Sequence, residues 1–463
     1  MRKCFTIVVC LFSLSVWAYA QPGGEFGAFL SRSNAAAGRY LAAKQQEQAG
    51  FLARSWQAYS IVNGIEDPFS KRGDAGLPHG ELPQESSSDT SRERIVYPAK
   101  TIPEGPLPAG MIAFSFYGRP YRVHYDRKDD FLLEGIGSRE VAAGWDSLAA
   151  GPAALLAREC SQIREKDQLC DWAFLQLADS LSAAIYPARP NERELLFGFL
   201  LGQAGYQVRF GTSGHTLSCL YSTRQIIYAK PFFSGDGNSY WYTHVPGESA
   251  WSLSDPCPGR PLDLTLTALP AVGGPVLEHH VSAGGVKFDF RIPKASLDFY
   301  ASYPHTEMAV KAGAPVSPAF REAAYPALKA AMAGKGEVES VNLLLRFVWG
   351  VMTYRTDRQY WGYEKWSFPE ESCFYQVGDC DDHAILFCRL ARDLLGLEVL
   401  LVECNVDGGS HAAAAVRFSE ALEGDSFLFE GQRFFCCEPT SGSSRAGQRM
   451  WKKYEVTKAA RVR

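Results

Sequence analysis

Cys380, His411 and Glu438 are the residues of this chain whose types, order and surroundings suit nucleophilic chemistry. Gly378-Asp379-Cys380-Asp381-Asp382-His383 opens a stretch in which Ala384, Phe387, Cys388, Ala391, Leu394 and Leu395 recur at the helical period, ending near Gly396. Cys380 is therefore expected at a helix N-terminus, where unpaired backbone N–H groups and the positive dipole end favour a thiolate. Asp379, Asp381 and Asp382 oppose that ionisation by repulsion, so a neighbouring base is required. His411 is the candidate: it follows the turn Asp407-Gly408-Gly409-Ser410 and heads the strand-like run Ala412 to Phe418. Its alanines let a helix lie close enough for sulfur and imidazole to meet. Glu438 ends the next strong strand, Arg433 to Cys437, and is the candidate to orient the ring.

Other groups have supporting or bland readings. Trp361, Tyr363 and Trp366 lie in an aromatic loop before the nucleophile and are expected to wall a cleft for an extended peptide. Tyr375 and Gln376 are candidates to donate to an oxyanion together with the Cys380 backbone N–H. Cys219, Cys388 and Cys404 read as small buried hydrophobes, and His383 as a surface or capping residue. One of the adjacent pair Cys436-Cys437 is expected either to bridge Cys404 or to stay free. His279-His280 has no other ligand types beside it, and no Cys-x-x-Cys or His-x-His spacing occurs near His411. No metal and no cofactor are expected.

The elements that must position these groups come in two sets. Trp172 to Ile185 reads as a helix, followed by Asn191 to Phe197 and Gly205-Tyr206-Gln207-Val208; Val341 to Tyr354 is followed likewise by Asp382 to Phe387 and Gly396-Leu397-Glu398-Val399. Superposing Gly205 on Gly396 brings Asn191 onto Asp382 without a gap, but puts Arg189 under Cys380, Pro190 under Asp381 and Leu220 under His411. His215 lies five residues out of that register. The first half is thus expected to be a copy without nucleophile or base, serving packing or substrate binding. Between the halves, Leu262 to Leu266 and Val286 to Arg291 alternate as strands do. Glu430-Gly431-Gln432 reads as a hairpin turn; the Arg433 strand is expected directly beside the His411 strand, with the Phe427 segment outside it.

Composition bounds the remainder. The 463 residues carry a formal charge of -4 and 46% hydrophobic residues, and no segment gathers basic side chains, so nucleic acid is not an expected partner. The mean hydropathy of -0.15 excludes a multi-span membrane protein. Arg2-Lys3, an apolar run from Cys4 to Trp17 and Ala18-Tyr19-Ala20 form a signal-peptide pattern, which predicts a periplasmic or secreted protein with no membrane span after cleavage. The expected order is signal peptide 1–20, amphipathic helical arm 21–65, polar linker 66–98, first half 99–260, β-rich connection 261–324 and second half 325–463.

Over residues 325–450 the chain resembles the transglutaminase-like superfamily. The residues carrying the resemblance are Gly378-Asp379-Cys380-Asp381-Asp382-His383-Ala384, the strand from His411, and Glu438-Pro439-Thr440 where that superfamily has Asp-Pro-Thr. The helical arm, linker and paired halves look like secreted members from Bacteroidetes-type bacteria. The resemblance implies an α+β fold with a papain-like core, a helix-start cysteine packed on an antiparallel sheet, and here a duplication of that core. It further implies a cysteine-nucleophile enzyme of acyl transfer acting on amide bonds of peptides or proteins; hydrolysis is favoured over transamidation because water is the default acceptor in an open cleft. The alternative is a non-catalytic cell-envelope binding protein on the same scaffold. Oligomeric state is not legible in the chain.

Overall fold

The computed structural model describes residues 107–228, 230, 232–235, 238–242, 252–407 and 409–462. The expected signal peptide, helical arm and linker lie outside the described residues.

A hairpin of β1 (Met111–Phe116) and β2 (Arg119–His124) leads into four helices: α1 (Ser138–Ala150), α2 (Ala153–Lys166), α3 (Asp171–Ile185) and α4 (Pro190–Gln203). The first sheet follows, with β3 (Val208–Ser213), β4 (Thr216–Ser222), β5 (Phe232–Gly235), β6 (Asn238–Tyr242) and β7 (Ser252–Leu253). A separate hairpin, β8 (Val276–Ala283) and β9 (Val286–Pro293), precedes α5 (Lys294–Ser302), α6 (Met308–Gly313), α7 (Pro318–Met332) and α8 (Glu337–Val351). Short elements then approach the candidate nucleophile: β10 (Thr353–Tyr354), α9 (Asp357–Tyr360), α10 (Pro369–Tyr375) and β11 (Val377–Gly378). The central helix α11 (Cys380–Leu395) leads to β12 (Glu398–Val406), β13 (Gly409–Arg417), β14 (Ser426–Phe429), β15 (Gln432–Cys437) and β16 (Tyr454–Arg461).

The two larger sheets share one topology. The first has the order β5-β6-β4-β3-β7 and the second β14-β15-β13-β12-β16, so each strand has a counterpart of the same rank in the chain, and every pairing is antiparallel. Each sheet follows a helix closed at its C-terminal end by a positive-φ glycine, Gly205 or Gly396. The result is a mixed molecule, 38% helical and 28% strand, with two curled antiparallel half-barrels compatible with a duplicated core. Among the described residues no helix is long and apolar enough to cross a membrane.

Pairing register refines the relation between the halves. Val399 pairs with Val416 and Cys404 with His411, whereas Val208 pairs with Tyr221 and Ser213 with Thr216. With Val399 set on Val208, the counterpart of His411 is Thr216, not Leu220, because the β12–β13 hairpin is longer than the β3–β4 hairpin. His215 sits in the tighter turn, exposed, its carbonyl accepting from Asn191 Nδ2 at 3.0 Å.

In the connection between the halves, the expected strand Val286 to Arg291 lies within β9, paired with β8, whereas the other expected strand does not form. Leu262 to Leu266 bury Leu262, Leu264 and Leu266 alternately, as read, but form no strand. Side chains occupy the ladder positions instead: Asp263 Oδ1 accepts from Thr265 N at 2.9 Å, Gln225 Oε1 accepts from Leu264 N at 2.8 Å, and Asp171 Oδ2 accepts from Asp263 N at 2.8 Å. Helices α5 and α6 also lie in this region, docked by Tyr300, whose hydroxyl donates to buried Glu370 at 2.6 Å.

Candidate functional site

Asp379 caps α11 with an extended backbone, so Cys380 occupies the first helical position. The helix lies over β13 because Ala412 and Ala414 present only methyl groups; these, Val416 and Cys437 share one apolar cluster with Cys380, Ala384 and Phe387. Cys380 is fully buried, with its Sγ donating to Asp381 Oδ1 at 3.8 Å and receiving the backbone N–H of Ala412. Burial, followed by the Asp381 charge, pushes the thiol well above its ordinary range; the Ala412 N–H opposes that shift. The resting group is a thiol, because removal from water outweighs the helix-end field.

His411 and Glu438 meet as the sequence predicts. His411 Nε2 lies 2.8 Å from Glu438 Oε2, and both side chains are almost completely buried. The other oxygen, Oε1, accepts from Thr440 N at 3.1 Å and from the Thr440 hydroxyl. The longer Glu is accommodated by a local turn that uses both carboxylate oxygens. The pairing of β15 directly with β13, through Ala414–Cys437 and Val416–Phe435, brings the two residues to the same sheet end. The hairpin turn at Glu430-Gly431, both at positive φ, sends β14 to the outer edge as expected.

The expected thiol–imidazole hydrogen bond is not present in this arrangement. Strand alternation explains this: Ala412 and Ala414 face α11, so His411 points to the opposite side of β13. There its ring meets Trp451 at 4.2 Å between centroids, within a second apolar cluster containing Cys404 and Ala415. Trp451, Tyr354 and Thr440 were not singled out by spacing. Trp451 and Thr440 touch the pair directly, while Tyr354 is buried, and its hydroxyl is raised first by burial and then by the nearby Cys380. The Trp451 indole N–H is buried without an acceptor.

The remaining expected positions divide. Tyr363 is exposed and Trp361 half-buried, the latter packed edge-on to Tyr375 at 4.9 Å. Trp366 does not wall an open cleft: it is buried at 4.1 Å from the His305 ring and 5.9 Å from the Tyr228 ring. Gln376 Nε2 donates to the carbonyl of His280 at 3.0 Å, so that amide is engaged away from an oxyanion role, and the Tyr375 ring packs edge-on against Trp361 and Phe374. His383 is not a surface residue; it is buried, with Nδ1 2.6 Å from the Asp379 carbonyl, and burial lowers its pKa to about 4. All ten cysteines of the described region are free, including Cys404, Cys436 and Cys437.

A buried carboxylate group adjoins Cys380. Asp357, Asp379 and Asp382 converge from the start of α9 and the start of α11, with Asp381 and Glu364 beside them. Burial, then Asp382, raises the Asp357 carboxyl; burial, then Asp381, raises Asp379; burial, then Asp381, raises Asp382 to about 7. The chain matches no family model and no curated protein.

Proposed function

We propose that this chain is a secreted cysteine-nucleophile enzyme of acyl transfer, acting on peptide or protein amides through a papain-like, transglutaminase-like core in its second half. The observation that carries the reading is the buried His411–Glu438 pair at 2.8 Å, one residue along β13 from the N–H that contacts the helix-start Cys380 thiol. In this reaction Cys380 Sγ attacks the substrate carbonyl while His411 takes the thiol proton, and Glu438 stabilises the imidazolium. His411 then returns the proton to the leaving amine. Water, activated by the same imidazole, releases the acid and regenerates the thiol. Because the thiol is buried and the imidazole lies against Trp451 on the other side of β13, this chemistry requires the head of β13 to move so that the imidazole reaches Sγ.

The test is incubation with a mixed peptide library, with and without a primary amine, followed by mass spectrometry. Cleaved backbone identifies a peptidase, ammonia loss at Gln a deamidase, and amine adducts a transamidase. Each must vanish in Cys380→Ala. A second reading, a cell-envelope binding protein on the same scaffold, is favoured by the closed thiol and by the side-chain direction of His411. No Cys380-dependent mass change in any arm would select it.

A further inference from the structure

We propose that Asp357, Asp379 and Asp382, supplemented by Glu364 and Asp381, form a binding site for a hard divalent cation that ties the head of α9 to the head of α11. One ligand atom from each of the first three lies within 4.8 Å of the others, and Asp357, Glu364 and Asp381 form a second all-oxygen group sharing Asp357; a third group, Asp379, Cys380 and Asp381, includes the thiol, a soft donor that a hard cation does not favour. A separation of about 4.8 Å is twice an ordinary calcium–oxygen distance, so each trio can reach one ion.

The attachment of these carboxylates distinguishes them from an acidic patch. On each, backbone N–H holds one oxygen: Lys365 N donates to Asp357 Oδ2 at 2.6 Å, Asp357 N to Asp379 Oδ2 at 3.4 Å, and Ser367 N to Asp382 Oδ1 at 2.7 Å. The second oxygen of each, Asp357 Oδ1, Asp379 Oδ1 and Asp382 Oδ2, is buried and has no partner. All three residues are at most 1% exposed, so water does not serve these oxygens as it would at a surface. The adjacent lysine offsets only part of this charge: it favours ionised Asp382, but Lys365 Nζ is bound to Glu371 at 2.5 Å and lies 3.9 Å over the Trp361 ring. Anchored carboxylates with orphaned oxygens are the preorganised, all-oxygen donor set that calcium, and less readily magnesium, accepts. The site departs from the sequence expectation of no metal. It does not depend on Cys380 being a nucleophile.

The test uses the full mature chain, stripped with chelator and titrated with calcium, then magnesium and manganese, by calorimetry and thermal melting. Calcium is expected to bind one to one with a Kd below about 1 mM and to raise Tm by about 3 °C or more at saturation. Asp357→Asn should weaken binding at least tenfold, because both trios use this residue. Its Tm in chelator should equal or exceed wild type, since a buried repulsive charge is gone; Glu364→Gln, a less buried change, tests the site if Asp357→Asn does not fold. Cys380→Ala should bind calcium as wild type does, which separates this site from the proposed chemistry. The proposal is overturned if none of the three ions gives heat or a Tm shift at millimolar concentration, or if Asp357→Asn binds as wild type.

Discussion

The Cys380 thiol is met by the backbone N–H of Ala412, the neighbour of His411, and not by the His411 imidazole. The two sit on opposite sides of one strand end, and the proposed chemistry depends on a movement of that strand end that brings them together.

Glu438 is the first position to test. Its oxygens serve His411 and Thr440 inside the protein, so Glu438→Gln should fold while slowing Cys380-dependent turnover by about 100-fold or more, an amide being unable to offset the imidazolium. Glu438→Asp retracts the carboxylate by about one carbon–carbon bond, ~1.5 Å. It cannot keep both partners, and turnover should fall about tenfold. Glu438→Ala should lower unfolding free energy by about 3 kcal/mol in urea melts, leaving buried partners unsatisfied. Wild-type turnover in Gln and Ala variants, with Cys380→Ala inactive, would remove Glu438 from the mechanism.

Trp451 packs against the imidazole on the side of β13 away from Cys380. Trp451→Phe should cost little stability, because the indole N–H has no acceptor to lose. Trp451→Ala empties a buried ring volume and should cost about 3–5 kcal/mol. If the ring also restrains His411, Trp451→Phe will change kcat more than KM, and equal kinetics to wild type would show that the restraint lies elsewhere.

Gly378 and Gly396 flank the nucleophile helix and should respond differently to Ala. A Cβ on Gly378 would lie 2.6 Å from Asp382 Cβ and Oδ2, so Gly378→Ala must shift the start of α11 and should cost about 2 kcal/mol or more. Gly396 has φ +67 with nothing within 4 Å of a Cβ, so its Ala variant meets only the left-handed backbone penalty, about 1 kcal/mol. Chemical melts of the two variants decide; an equal or reversed order would contradict the crowding at Gly378.

His305 predicts an acid-sensitive contribution. Burial, then the Lys311 charge, lowers its imidazole from 6.5 to about 4 while its ring packs, tilted, 4.1 Å from that of Trp366. Between those values the unfolded chain binds the proton and the folded chain does not. The stability is therefore fully present above pH 6.5 and is lost as pH falls toward 4. The full window amounts to about 3 kcal/mol. His305→Phe, which keeps a ring against Trp366, should gain about that much over wild type on going from about pH 8 to about pH 4. Parallel pH profiles for the two proteins would show that His305 does not carry this linkage.

Local pattern was enough to place α11 and its glycine cap, the Glu430-Gly431 hairpin, the rank of β15 beside β13, and the meeting of His411 with Glu438. Each follows from periodicity, turn residues or nearest-neighbour strand pairing, which act over a few residues. The repeated order of elements was legible for the same reason. What tertiary structure decided was direction and convergence. Whether His411 faces the helix depends on which face of β13 the alanines turn to α11, and a one-residue step reverses it. Asp357 reaches Asp379 and Asp382 only because β10 pairs with β11, parallel and far apart in sequence, and no spacing rule encodes that contact. Trp366 and His383 are buried because the connecting segment and the second sheet close over them, and Leu262 to Leu266 stay out of a sheet because Asp171, Gln225 and Asp263 take their N–H groups. Side-chain burial and long-range hydrogen bonds are properties of the assembled chain, so the sequence named the chemical groups while packing determined which of them touch.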